Sequence, residues 1–208
     1  MIATLSTQKN SVILNNIRWE TYQYLVQDSE EQPNKRLTYD RGILEIMTPL
    51  PEHEVYKKLI DRFVLVMVEE MNKEMRSLGS CTWSRQDLKQ GLEPDECYYI
   101  NHEEAVRGKL NIDLNFDPPP DLAIEIDITS SSLNRMSIYE ALGVAEVWRF
   151  DGQFLSIYQL VDGIYQMSDK SGVFPFIKGE DIMRFLQQLE GGEMALIKAF
   201  RTWVRGKV

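Results

Sequence analysis

The sequence predicts an α/β protein: a mixed β-sheet with helices packed on it, preceded by an extra hairpin near the N-terminus. Three observations predict it. Strand-like and helix-like segments alternate along the chain. The stretch 121–150 reads as strand, short helix, strand, the pattern of a right-handed parallel crossover. One long amphipathic segment, 52–77, has too wide an apolar surface for a solvent-exposed helix.

The elements follow in order. "MIATLSTQKNS" is polar and reads as a loose start. "IRWETYQYLVQ" (17–27) carries Trp19, Tyr22 and Val26 at helical spacing. "KRLTYDRGILEIMTP" (35–49) reads as a β-hairpin turning at Asp40-Arg41-Gly42, where Gly42 can take a positive φ. In the long helix Val55, Leu59, Phe63, Met67, Met71 and Met75 recur on one face, and Val64, Val66 and Val68 widen it. That methionine stripe is core. "CTWSRQDLKQGLEPDECYYI" (81–100) reads as a second hairpin, turning at Lys89-Gln90-Gly91, and 102–120 connects it to the next strand. "NRMSIYEALG" is a short helix closed by Gly143. "AEVWRF" is a strand, Asp151-Gly152 a turn, and 153–168 a hairpin around Asp162-Gly163. Residues 180–206 are helical with a break near Gly191-Gly192.

Composition bounds the rest. The chain has 208 residues, 43% hydrophobic and 26% charged, which suits a single domain spanning 1–208 with a real core. No apolar run reaches membrane-spanning length and no leader opens the chain, so the cytoplasm is the expected location. The net charge of -9 argues against a simple DNA-binding module, though not against an enzyme acting on nucleic acid. Two cysteines and two histidines are too few for a thiolate or histidine-rich metal cluster. A metal here would be a hard cation held by carboxylates, Mg²⁺ or Mn²⁺.

The acids of "PPPDLAIEIDITSSS" (118–132) supply such carboxylates. Side chains alternate along a strand, so Leu122, Ile124, Ile126 and Ile128 share a core face, and Asp121, Ala123, Glu125 and Asp127 share the other. An all-acidic row repels itself unless a cation or basic side chains neutralise it. Upstream, Glu93, Asp95, Cys97 and Tyr99 share one face of "LEPDECYYI". If the two strands are neighbours, Asp95 and Glu125 converge, and with a backbone carbonyl and waters they can complete an octahedral Mg²⁺ shell at about 2.1 Å. The bland reading stays open: Glu125 is a partly buried acid paired with Arg149 of the next strand. Ser130-Ser131-Ser132 lacks a Gly-x-Ser-x-Gly elbow and reads as a helix-capping turn. No phosphate loop or dinucleotide fingerprint is present.

Pro94-Asp95 followed by Glu125-Ile126-Asp127 resembles the PD-(D/E)XK nuclease superfamily. "PDLAIEIDITSSSLNRMSIYEALGVAEVWRFD" is more specifically similar to the bacterial Uma-type family of restriction-endonuclease-like proteins. The resemblance extends to "EIMTPLPEHE" and "EPDECYYI", covering most of 36–151, with a nuclease core at about 50–151. It implies a restriction-endonuclease-like fold and a Mg²⁺- or Mn²⁺-dependent endonuclease that hydrolyses DNA phosphodiesters, possible as a homodimer. By matching position it implies metal ligation by Asp95, Glu125 and the Ile126 carbonyl. Glu54, at the start of the long helix beside His53, is the expected supporting acid, and His53 itself reads as a surface residue. Two departures stand out. Asp127 occupies the place of the superfamily lysine, as a third ligand or as an acid held by Arg135. Arg135 stands where the Uma-type pattern carries a lysine. It can stabilise charge but does not give up its proton. The rival this raises is a catalytically impaired nuclease fold serving as a binding or assembly module.

Overall fold

The computed structural model describes residues 11–29, 35–128 and 133–208. Its strands form two sheets. The first contains β1 (Ser11–Leu14), β2 (Arg36–Asp40), β3 (Ile43–Met47), β5 (Trp83–Arg85) and β6 (Gln90–Leu92), in the order β1-β3-β2-β6-β5. The second contains β4 (Arg76–Ser77), β7 (Glu96–Tyr99), β8 (Leu122–Ile126), β9 (Glu146–Phe150), β10 (Leu155–Val161) and β11 (Ile164–Ser168), in the order β11-β10-β9-β8-β7-β4. The mixed α/β class is as the sequence indicates, but the N-terminal hairpin β2–β3 is part of a five-stranded sheet. Strand β1 is a four-residue run, Ser-Val-Ile-Leu, too short for its periodicity to mark it in the sequence.

Among the described residues the second sheet has one parallel pair, β8 with β9, joined through α4 (Arg135–Leu142), while the short α3 (Glu103–Val106) lies between β7 and β8 in the chain. Alternation along β8 decides what each face meets. Leu122, Ile124 and Ile126 pack with α2 (Pro51–Glu70), α5 (Gly179–Leu186) and α6 (Glu193–Arg205), through Phe63, Phe185 and Phe200. Ala123 faces the other way, into a cluster with Ile138, Tyr139 and Leu142 of α4. Glu125 shares Ala123's face, so it is roofed by α4 rather than by solvent. Helix α1 (Trp19–Ser29) covers the first sheet, where Tyr22 stacks on Tyr39 with ring centroids 4.9 Å apart.

Three boundaries differ from the sequence reading, each for a local reason. Helix α2 ends at Glu70 rather than continuing to 77, because Asn72 takes a positive φ of 51 and β4 follows. Met71 and Met75 still pack on the core from outside the helix. The 81–100 hairpin turns over 86–89, with Lys89 at positive φ, so Gln90 and Gly91 lie within β6. Gly91 serves packing instead: a Cβ there would lie 2.5 Å from the Tyr22 hydroxyl. Finally, 92–100 is not one strand. It leaves the first sheet after Leu92 and enters the second at Glu96. Pro94, which cannot donate to a ladder, sits in the break.

Short-range chemistry explains the remaining ends. Asp162 and Gly163 both have positive φ in the β10–β11 turn, as a two-residue hairpin loop requires. Asn134 caps α4 by accepting from Ser137 N, and Gly143 closes it in the left-handed conformation. The expected capping turn at Ser130-Ser131-Ser132 lies outside the described residues. Cys97 is buried and Cys81 exposed, both as free thiols. Among the described residues no helix is long and apolar enough to cross a membrane.

Candidate active site

Strand pairing brings the two acidic segments together. The antiparallel register Glu96↔Ile124 and Cys97↔Ala123 sets Asp95, one step earlier, across from Glu125. Asp95 N donates to Ile124 O at 3.2 Å. Its side chain is locked too, since Ile126 N donates to Asp95 Oδ2 at 2.7 Å. The acids are only 2% and 7% exposed. Their burial is costly unless positive charge or hydrogen-bond donors meet them.

Arg135 meets Glu125. Its Nε donates to one carboxylate oxygen at 3.0 Å and its Nη2 to the other at 2.7 Å, a two-pronged pair. Tyr139, one helical turn after Arg135, donates its hydroxyl to Glu125 Oε1 as well. The guanidinium also donates to the Glu93 carbonyl at 2.7 Å and to Thr38 Oγ1. Arg135 therefore ties α4 to β8, to β2 and to the junction between the two sheets. Burial pushes the Glu125 carboxyl up, and Asp95's charge adds to this, while Arg135 and Tyr139 act against it. Burial likewise carries the Tyr139 hydroxyl well above its usual range, with Glu125's charge adding.

His53 meets Asp95. Its Nε2 lies 3.0 Å from Asp95 Oδ1, and its side chain is buried. This corrects the surface reading of His53. The signal was present: His53, Lys57, Ile60, Val64 and Met67 follow one helical row, all of it buried. Burial works against the protonated imidazole, but Asp95 beside it wins and the pKa rises. Burial alone would raise Asp95. Contact with His53 and the Ile126 N–H bring it below its usual range instead.

The other expected site residues stand further out. Glu54 is 41% exposed on its side chain and lies 3.5 Å from both His53 Nδ1 and Lys57 Nζ, with its contacts there rather than at Asp95 or Glu125. Asp127 receives Arg149 Nε at 3.0 Å. So the pairings read from strand order are exchanged. Arg149 is the register partner of Glu125, yet its guanidinium reaches Asp127, and Arg135 holds Glu125. Glu93 does not join the acids, because its carboxylate accepts from Leu37 N at 3.1 Å and from Thr82 Oγ1 at 3.0 Å. Ile126 is the last residue of β8, and it is its N–H that reaches Asp95. A small cleft beside His53 is lined by Met47, Pro49, Leu50, Glu52 and Ile128.

The donor types suit a hard divalent ion, but their present engagements do not. Both Glu125 oxygens already receive donors. Among the described residues no group of three His, Cys, Asp or Glu side chains stands in a metal-holding arrangement. As arranged, these residues do not fit an ion shared by Asp95 and Glu125.

The fold has a counterpart among solved structures. A protein of Anabaena variabilis ATCC 29413, described as "a putative nuclease belonging to DUF820", superposes with a TM-score of 0.55 over 81% of this chain and 98% of that one, at 17% identity. No curated protein matches the chain. Residues 19–189 match the Uma2 family, described as "Putative restriction endonuclease". The chain belongs to that family.

Proposed function

We propose that the protein is an endonuclease that hydrolyses phosphodiester bonds in DNA, with Asp95 and Glu125 as the acids of its centre. The carrying observation is their opposition, buried, across the β7–β8 pair. Membership of the Uma2 family supports the reaction class. The proposed cofactor is Mg²⁺ or Mn²⁺, with Asp95, Glu125 and the Ile126 carbonyl as its ligands once Glu125 is released. Such an ion would supply charge neutralisation at a phosphate and an activated water. Of the chain's own groups, Ile126 N–H and His53 hold Asp95 in place. Arg135 carries a guanidinium whose planar fork suits phosphate as well as carboxylate. Glu54 stays an outer, supporting acid and Asp127 a charge balanced by Arg149.

The proposed unit is a single domain over 1–208, which the bonds of Arg135 to both sheets support. Cutting both strands of a duplex calls for two centres, hence a homodimer. DNA as substrate makes the cytoplasm the proposed compartment. A second reading is a catalytically impaired nuclease fold that binds or assembles. The clamp on Glu125 favours it. Supercoiled plasmid incubated with MgCl2, MnCl2 or EDTA separates the two. Nicking that needs the metal supports the endonuclease. Intact plasmid in every condition, with DNA retained in a gel-shift assay, supports the binding module.

A further inference from the structure

We propose that Arg135 is a built-in counter-cation that closes Glu125 against divalent metal, so that an ion gains Glu125 only when the guanidinium leaves. The inference rests on Asp95 and Glu125 being the metal-binding acids, and it adds a control on their loading.

Three observations carry it. First, both carboxylate oxygens are engaged. Arg135 Nε and Nη2 take one oxygen each, at 3.0 and 2.7 Å, and Tyr139 adds a donor to Oε1. A carboxylate that accepts a two-pronged guanidinium has one lone pair of each oxygen directed at an N–H, which closes the face where a cation would sit between the two oxygens.

Second, Arg135 is held where it is. The Glu93 carbonyl at 2.7 Å and Thr38 Oγ1 fix the guanidinium from the side of the first sheet. Moving it out breaks bonds to three separate chain segments. A lysine would offer a compact charge on a flexible stem and can lose its proton. Arginine remains charged under all ordinary conditions.

Third, the charges already compensate. Asp95 has His53 at 3.0 Å, and Glu125 has Arg135. A dication entering beside a retained guanidinium would meet like charge in a buried site, where such repulsion is poorly screened. The other cations nearby do not close this carboxylate. Arg149 goes to Asp127, and Lys57 lies 3.5 Å from Glu54 and 3.8 Å from Glu96.

The test is calorimetric titration of the full chain with MnCl2. Wild type is compared with Arg135→Met, Arg135→Lys and the double variant Arg135→Met/Glu125→Gln, each checked for a cooperative thermal transition. Arg135→Lys retains a positive charge beside Glu125, so it keeps the test open if Arg135→Met does not fold. Expected is at least tenfold tighter Mn²⁺ binding in Arg135→Met, a smaller gain in Arg135→Lys, and loss of the gain when Glu125→Gln is added. Wild-type binding as tight as in the Arg135 variants overturns the closure while leaving the metal centre standing. A gain that survives Glu125→Gln also overturns it, by placing the ion elsewhere. Absence of binding in every folded variant removes the metal centre itself, and the closure with it.

Discussion

Arg135 and Glu125 form a buried two-pronged ion pair, with Nε and Nη2 at 3.0 and 2.7 Å from separate carboxylate oxygens. The pair joins the helix after β8 to the acid of β8. It therefore fixes the site's charge and the packing of α4 together. Removing only the arginine strands a buried carboxylate. Arg135→Met is expected to cost about 3–5 kcal/mol, the usual penalty for breaking a buried pair from one side. Glu125→Gln in that background should recover part of the loss. Urea denaturation of the two single variants and the double variant measures both effects, and simple additivity would deny the coupling.

At the other end of β8, Asp121 does structural work. Its Oδ2 accepts from Ile100 N, Asn101 N and His102 N at 2.6, 2.8 and 3.0 Å, and His102 Nδ1 sits against Oδ1. Asp121→Ala leaves those donors without an acceptor. A loss of at least about 1–3 kcal/mol is expected, the cost of even one buried donor left unpaired. The cleavage rate per folded molecule should not change. Chemical denaturation and an activity assay on the same preparation test the two halves.

Glu70, at the end of α2, binds Arg201 and Arg205 of α6, at 2.7 and 2.8 Å. Those hydrogen bonds, Arg205 first, hold its carboxyl below the usual range. A depressed folded pKa means stabilisation that is present above the unfolded value of 4.5 and lost as pH falls through the folded one. Glu70→Gln should therefore lower the thermal midpoint at pH 7. The difference from wild type should shrink in high salt and close in acid. A difference that persists at pH 2 would show that Glu70 acts through packing rather than charge.

Periodicity made half of the site legible. Alternation placed Glu125 opposite the isoleucine face, and strand order allowed Asp95 to reach it. The partners of those acids were not legible, because they depend on three-dimensional reach rather than register. Strand order offered Arg149 to Glu125, and the register agrees. A guanidinium on a long stem can still choose the next acid along, and Arg149 chooses Asp127. Arg135 comes from a helix that roofs the sheet, a relation no local pattern contains. Tyr139 at i+4 from Arg135 was a readable clue, as was His53 on the buried row of α2. Among the elements, the α2 stop at Asn72 and the sheet change at Pro94 each hinge on a single residue in a charged stretch, while apolar spacing runs on past it on both sides.

The most direct measurement is Mn²⁺-dependent nicking of supercoiled plasmid by wild type, Glu125→Gln and Asp95→Asn, each purified identically and shown to be folded. If the two opposed acids form the centre, either change lowers the rate by at least about 100-fold, the scale expected when a charge partner of the transition state is lost. Nicking at the wild-type rate in both variants would contradict the account and move the chemistry away from β7 and β8.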